Sequence, residues 1–385
     1  MYADGVRRDA GRSYAQPGVR RVALKPPDAL LLGSVAFLLA LGLVMVFSAS
    51  SATAYSAYHD TAYFLKRQVV FLLIGLALAY AAYRVDYRKL RTIAPAVVVV
   101  TFLLLVLTLV PHVGFATGGA RRWIGLRAIS FQPSEFGKLT LVLFLAAKLA
   151  QLGERVRSLS KGVWPALFVT LLLSAPVFFE PDMGTASLYI FTAFALLFTA
   201  GARIEHLIMC VLAMLPGVAI AVGSSAYKRA RIFAFLHPWK DPQNTGFHIV
   251  QSLLALGSGG LFGVGLGASR QKYFYLPAAH TDFIFSVLGE ELGMLGCLTV
   301  IALFLLFAIR GVTLALRAPD RFGMLLAMGC TLVTIIQAFI NVGVVTSSWP
   351  VTGVPLPFIS FGGSSLIVSL IAVGLIANVG RYRTA

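Results

Sequence analysis

The fold class this sequence predicts is all-α: a chain that crosses a membrane about ten times. Three observations predict it. Of 385 residues, 58% are hydrophobic and only 12% are charged, roughly half the charge of a soluble domain. Mean hydropathy is +0.84, and a soluble core of this size could not hide so much apolar surface, whereas lipid can. Apolar stretches long enough to cross a hydrocarbon core of about 30 Å also recur from one end of the chain to the other. The net charge is +17. In a soluble protein that would suggest nucleic acid; here it reads as basic loops that set topology against anionic membrane lipid, with no nucleic acid implied.

The expected spans fall near 28–50, 68–83, 92–112, 134–150, 163–179, 183–201, 204–223, 282–310, 322–346 and 361–380. Residues 1–27 are polar and basic and read as a disordered cytoplasmic tail, with 28–385 as one ten-helix membrane domain. Ala52-Thr53-Ala54 faintly resembles a signal-peptidase site, but the preceding apolar run suits a full span better than a signal-peptide core. The three cysteines, Cys210, Cys297 and Cys330, lie in apolar runs without a pairing pattern and read as small hydrophobes.

Orientation follows from the basic residues. With the N-terminus inside, 20 of the 32 Lys and Arg fall on cytoplasmic segments, so the positive-inside rule puts both termini in the cytoplasm. The others are clustered: four lie between Arg121 and Lys138, and six in a large extracytoplasmic loop, 224–281, between helices seven and eight, whose sole acid is Asp241. Cations that defy the topology bias suggest an anionic ligand. Within that loop, 246–267 is apolar, too short to span and rich in glycine, and so reads as a re-entrant or interfacial segment buried in protein or lining a wet cavity.

The stretch from His280 to Gly293 carries the sharpest chemical signal. It puts Asp282 at the outer mouth of helix eight, with Glu290 and Glu291 two to three turns deeper. On a regular helix Glu290 lies roughly 80° around from Asp282 and Glu291 opposite it. The first could then share a cavity wall with Asp282, while the second needs another partner. Acids inside a membrane are costly and point to function; the bland alternative is helix packing satisfied by Arg, Ser or Thr.

Arg121 and Arg122 beside Trp123 suit either an interfacial anchor or a fork for phosphate oxygens. Pro133, Ser134 and Glu135 are ordinary helix-start residues, and Glu135 with Lys138 at i, i+3 can pair on one face, as a structural bridge or a ligand site. Lys228, Arg229 and Arg231 open the long loop. The stiff segment Pro350–Ser365 ends in a small-residue helix start around Ser364, whose backbone N–H groups could receive a polar headgroup.

In chain order these pieces resemble the SEDS family (FtsW, RodA and SpoVE). The matching blocks are GARRWI at 119–124, FQPSEFGK at 131–138, EPDMGTA at 180–186, the run from His237 to Gly293 containing HTDFIF and GEELG, and WPVTGVPLPFISFGGSS at 349–365. RQKYFYLP and PLPFISFGGSS look more like the FtsW branch. Three positions depart from its usual pattern: Ala278 stands where a glutamate is common, Phe361 replaces a tyrosine and Gly137 an alanine.

The resemblance implies a peptidoglycan glycosyltransferase at the outer face of the cytoplasmic (inner) membrane, acting at the division septum. It would polymerise lipid II, the undecaprenyl-pyrophosphate-linked disaccharide-pentapeptide, into β-1,4 glycan. Its implied partners are a class B penicillin-binding protein transpeptidase and other divisome proteins. Asp282 matches the family's essential aspartate and would act as general base; Glu135, Lys138 and Arg121 or Arg122 match further site residues. A pyrophosphate leaving group gathers negative charge in the transition state, so fixed cations would supply much of the rate gain. Arg121, Arg122, Lys138, Lys228, Arg229 and Arg231 are the cations on the correct side, with Glu135, His280 and Ser364 completing the substrate-binding set. An α-linked donor and a β-linked product imply inversion. The residues point to no definite cofactor; a divalent cation, Mg2+ or Mn2+, is an option at the pyrophosphate, with Asp282 or Glu290 as ligand. Acidic helices, glycine breaks and a basic cavity also describe a lipid II flippase, and a non-catalytic divisome scaffold is the third reading.

Overall fold

The computed structural model describes residues 24–111, 114–117, 120–126, 129–224, 226–273 and 276–383. Every expected apolar run falls on a helix. These are α1 (Ala29–Tyr58), α2 (Tyr63–Arg84), α3 (Leu90–Leu109), α4 (Pro133–Leu152), α5 (Trp164–Phe179), α6 (Met183–Thr199) and α7 (Ile204–Gly223), followed after the long connection by α10 (Ile284–Leu316), α11 (Arg321–Val345) and α12 (Gly363–Arg381). Among the described residues, eight helical segments are long and apolar enough to cross a membrane; α6 and the described part of α7 are apolar but shorter. The expected tail lies outside the described residues up to position 23.

Helix ends are set by short polar side chains. Asp28 accepts from Leu31 N at the start of α1, Asp182 from Thr185 N at the start of α6, and Asp320 from Gly323 N at the start of α11. Each satisfies a backbone donor that the first helical turn leaves open. Pro133 begins α4, where its missing N–H costs nothing. Asp28 also pairs with Arg310 near the far end of α10.

The core lies where α4, α6, α10, α11 and α12 meet. Leu141, Leu145, Ile284, Leu288, Leu325, Leu326 and Ile376 are fully buried there. α12 packs along α2, α1 along α10, and α11 against both α4 and α10.

Two connections hold further structure, of which the hydropathy pattern indicated only the apolar segment 246–267. Between α3 and α4 stands an antiparallel sheet in the order β1 (Gly114–Thr117), β2 (Ala120–Leu126), β3 (Ile129–Phe131). Between α7 and α10, α8 (Ala226–Leu236) and α9 (Phe247–Ser258) precede a glycine-rich turn.

That turn interlocks with a break in α10. Gly293 has φ 68° and ψ −166°, a conformation open to glycine and strained for other residues, and the break frees backbone groups on either side of it. Val264 N and Gly265 N donate to the carbonyls of Glu290 and Glu291, while Met294 N and Leu295 N donate to those of Gly260 and Leu261. An added Cβ on Gly263 would stand 2.2 Å from the Glu291 carbonyl oxygen, so the two backbones touch. The apolar, glycine-rich piece thus docks on the break in α10, which satisfies its backbone, while Leu261, Phe262, Val264 and Leu266 stay exposed rather than buried in protein as expected.

Candidate active site

Asp282 precedes the first residue of α10 and sits in a turn closed by Thr281 N and Phe283 N, both donating to the Ala278 carbonyl. The helical angle expected between Asp282 and Glu290 therefore does not apply. Three bonds clamp this turn, one from α11 and two from the segment before α12. Asn341 Nδ2, from α11, donates to the carbonyls of Asp282 and Val354, each at 2.8 Å. Ser360 Oγ donates to Thr281 O at 2.6 Å, and Phe361 N to His280 O at 2.9 Å. Gly353, at φ 74°, faces the acid: an added Cβ would lie 3.5 Å from Asp282 Oδ2.

The half-buried Asp282 lines a cavity of about 300 Å3 with Arg231, Asn244, His248, Val351 and Gly353. Arg231 Nη1 donates to Val351 O at 3.2 Å. His248 stacks on Phe283, and its Nδ1 is buried without a hydrogen-bond partner. Burial first and the nearby Asp182 charge second push the Asp282 carboxyl up to about 6, against the pull of Arg122 and Arg231. Desolvation outweighs the cations.

A second acidic turn lies beside the first. Arg122, on β2, donates from Nη2 to Pro181 O at 2.6 Å and from Nε to Glu180 O at 3.2 Å, and Nη1 lies 3.8 Å from Asp182 Oδ2. The small sheet thereby pins the connection between α5 and α6. Glu180 is buried and accepts from Thr108, and burial lifts its carboxyl to about 7.

The other expected site residues scatter. Glu135 and Lys138 are sealed inside the bundle, with Lys138 Nζ 2.5 Å from Glu135 Oε2 and donating to Gln337 Oε1 at 2.6 Å. Gln337 Nε2 donates onward to Pro355 O. The pair is tied through α11 to the same loop that clamps Asp282. Ser364 Oγ accepts from Gln132 N and staples the start of α12 to the start of α4. His280 packs against Phe64 and Phe361, and burial lowers its imidazole to about 4, so at neutral pH it carries no charge toward a phosphate. Arg229 holds α8 to the Gly223 carbonyl. The side chains of Arg121 and Lys228 lie outside the described residues.

Glu290 and Glu291 do not share the cavity wall. Glu290 accepts from Ser269 Oγ at 2.5 Å and from Arg270 N at 3.0 Å. Glu291 accepts from Ser48 Oγ at 2.6 Å and lies 3.4 Å from Lys272 Nζ. Both acids hold the glycine-rich turn in place. Among the described residues no group of three or more His, Cys, Asp or Glu could hold a metal ion.

Residue-by-residue reading missed Asn341 and Gln337, although two amides at i, i+4 in an apolar span were a usable signal. It assigned no role to Glu180 or Asp182, although their turn stood in one of the matched blocks.

A many-helix bundle with a clamped, half-buried carboxylate at one end defines a polytopic membrane protein with a polar site at the mouths of its helices. Residues 28–385 match the profile of the Cell cycle protein family, FtsW/RodA/SpoVE, and the chain belongs to it. It is 45% identical over 356 residues to stage V sporulation protein E of Bacillus subtilis (strain 168), covering 92% of this chain and 97% of that one. It is also 45% identical over 352 residues to a probable peptidoglycan glycosyltransferase FtsW of Geobacter metallireducens, covering 91% and 94%. Among solved structures it resembles a chain of "Structural coordination of polymerization and crosslinking by a peptidoglycan synthase complex", with TM-score 0.76 and 32% identity over 92% of this chain and 98% of that chain. The rod shape determining protein RodA of Thermus thermophilus aligns with TM-score 0.69 and 32% identity over 93% and 98%.

Proposed function

We propose that this protein is an inverting peptidoglycan glycosyltransferase that polymerises lipid II, with Asp282 as general base. The observation that carries the reading is Asp282 itself, a carboxyl on a cavity wall, held by its backbone and in no ion pair among the described residues, with a pKa lifted to about 6. A base is most useful when its pKa lies near the working pH. An incoming sugar 4-hydroxyl gives its proton to the Asp282 carboxylate while its oxygen attacks the anomeric carbon of the donor. The bond from that carbon to the lipid pyrophosphate breaks, and the leaving group departs with the electron pair. Arg231 and Arg122 are the described cations that act on Asp282 electrostatically, and they are placed to favour developing negative charge. A divalent cation would find carboxylates at Asp282 and Asp182 but two guanidinium groups beside them, and no step above runs through it.

The relatives' names and the synthase complex support a cell-wall role and a penicillin-binding partner, which we assign as the class B transpeptidase. The bias of Lys and Arg supports cytoplasmic termini and an outward-facing cavity, and the relatives named FtsW support placement at the division septum.

The test is polymerisation of lipid II by the purified full-length protein in detergent, where a flippase has no barrier to act across and makes no glycan. Glycan strands are expected from the parent, with a rate about 10²–10⁴-fold lower for Asp282→Asn. Parent-rate synthesis by that variant would remove Asp282 from the mechanism.

A further inference from the structure

At the opposite end of the bundle from Asp282, α7 stands away from its neighbours. Of its described apolar side chains only Leu207 and Cys210 are buried. Between α7 and α5 opens a cavity of about 1110 Å3, larger than the roughly 300–1,000 Å3 of small-molecule pockets. Its depth is apolar, with Leu167 and Leu171 from α5 facing Met209, Ala213 and Met214 from α7. Its rim carries Arg155, Arg157 and Arg203 against the single acid Glu154.

The charge on this rim is uncommitted. Several other arginines at this end are used by the protein. Arg310 pairs with Asp28, Arg321 donates to the Gly153 and Ala200 carbonyls, and Arg381 donates to the Tyr83 carbonyl. Arg155, Arg157 and Arg203 are exposed, and their guanidinium groups make no hydrogen bond or ion pair among the described residues. His206, on the same rim, has a buried Nδ1 with no hydrogen-bond partner among the described residues. Three open guanidinium groups and an orphaned ring nitrogen above an apolar cleft call for a ligand with an anionic head and a long hydrocarbon body.

We infer that the cleft between α5 and α7 is a binding site for an anionic phospholipid, with its phosphate on Arg155, Arg157 and Arg203 and an acyl chain between the helices. A soluble phosphate would leave the apolar depth empty. A zwitterionic lipid would leave the rim's excess positive charge unneutralised, and this is the end at which basic residues concentrate, where an anionic leaflet is expected.

The experiment adds dioleoylphosphatidylglycerol or dioleoylphosphatidylcholine to the detergent-purified full-length protein. Lipid retained per protein is read by native mass spectrometry, and the lipid-induced change in Tm beside it. Phosphatidylglycerol should be retained roughly tenfold or more over phosphatidylcholine, and the combined variant Arg155→Gln/Arg157→Gln/Arg203→Gln should lose that preference. Ala213→Phe, which fills the cleft and keeps every charge, should lower retention of phosphatidylglycerol while leaving the lipid-free Tm near the parent's. Equal retention of the two lipids would overturn the inference, as would a preference that survives both variants. So would an equal rise in Tm with inorganic phosphate alone.

Discussion

Asp282 and Glu291 lie nine residues apart in one stretch of chain, yet their carboxylates are handled in opposite ways. Glu291 is sealed, receives two hydroxyl contacts from Ser48 and faces Lys272. Asp282 is half-open to a cavity, is anchored through its carbonyl rather than its carboxylate, and has no cation within salt-bridge distance among the described residues. Glu291 is built into the fold, whereas the Asp282 side chain is left available. A charge neutralised by its own protein has little left for a substrate, and an acid kept desolvated without a partner is primed to take a proton.

The largest expected effect separates activity from stability at Asp282. In the folded chain its carboxyl titrates at about 6, against an ordinary value of 3.8. Between those pH values the folded protein binds more protons than the unfolded one. Its contribution to stability therefore declines as pH rises through that window, and the penalty is complete above about 6. Asp282→Asn should abolish most polymerisation yet keep or raise Tm at pH 7.5. In the parent, kcat should climb with pH through about 6 and then level. A flat profile across that range would take away the base.

Glu291→Gln should do the reverse. It strands Lys272 in the interior, a change worth about 3–5 kcal/mol when a buried pair is broken. Adding Lys272→Met should restore much of the lost Tm, because a matched apolar replacement of such a pair is often nearly neutral. If Glu291→Gln melted like the parent but failed to make glycan, the contrast between the two acids would be lost.

A smaller effect is expected at Asn341→Ala, which removes the donors to the Asp282 and Val354 carbonyls. Each bond is worth about 0.5–1.5 kcal/mol net, so Tm should fall modestly. The rate should fall about tenfold as the base loses its placement. A rate unchanged beside a lowered Tm would mean that Asn341 supports the fold alone.

Much of the bundle was legible beforehand, because crossing a membrane demands long apolar runs and these are local in sequence. The ten runs predicted from hydropathy all became helices, with starts met to within a residue where Asp28 and Asp320 cap them and larger shifts at the end of α1 and the start of α2. The three-stranded sheet was missed because its strands are short and pair only with one another. The site was legible in part. An acid at a helix mouth stands out, but its separation from Glu290 was read along an unbroken helix, whereas the chain places Asp282 in a turn and breaks α10 at Gly293.

The amino-acid sequence alone determined that this chain crosses a membrane many times, where its cations gather, and which family it belongs to, since each of these is written in composition and in contiguous blocks. Only the tertiary structure decided that Glu291 is consumed by partners while the Asp282 carboxylate faces a cavity. The groups that decide this come from other segments: Ser48 and Lys272 take the Glu291 carboxylate, and Asn341 holds the Asp282 backbone carbonyl. A side chain's charge is available for chemistry only after the folded neighbours have taken their share, and which neighbours arrive depends on how the helices pack.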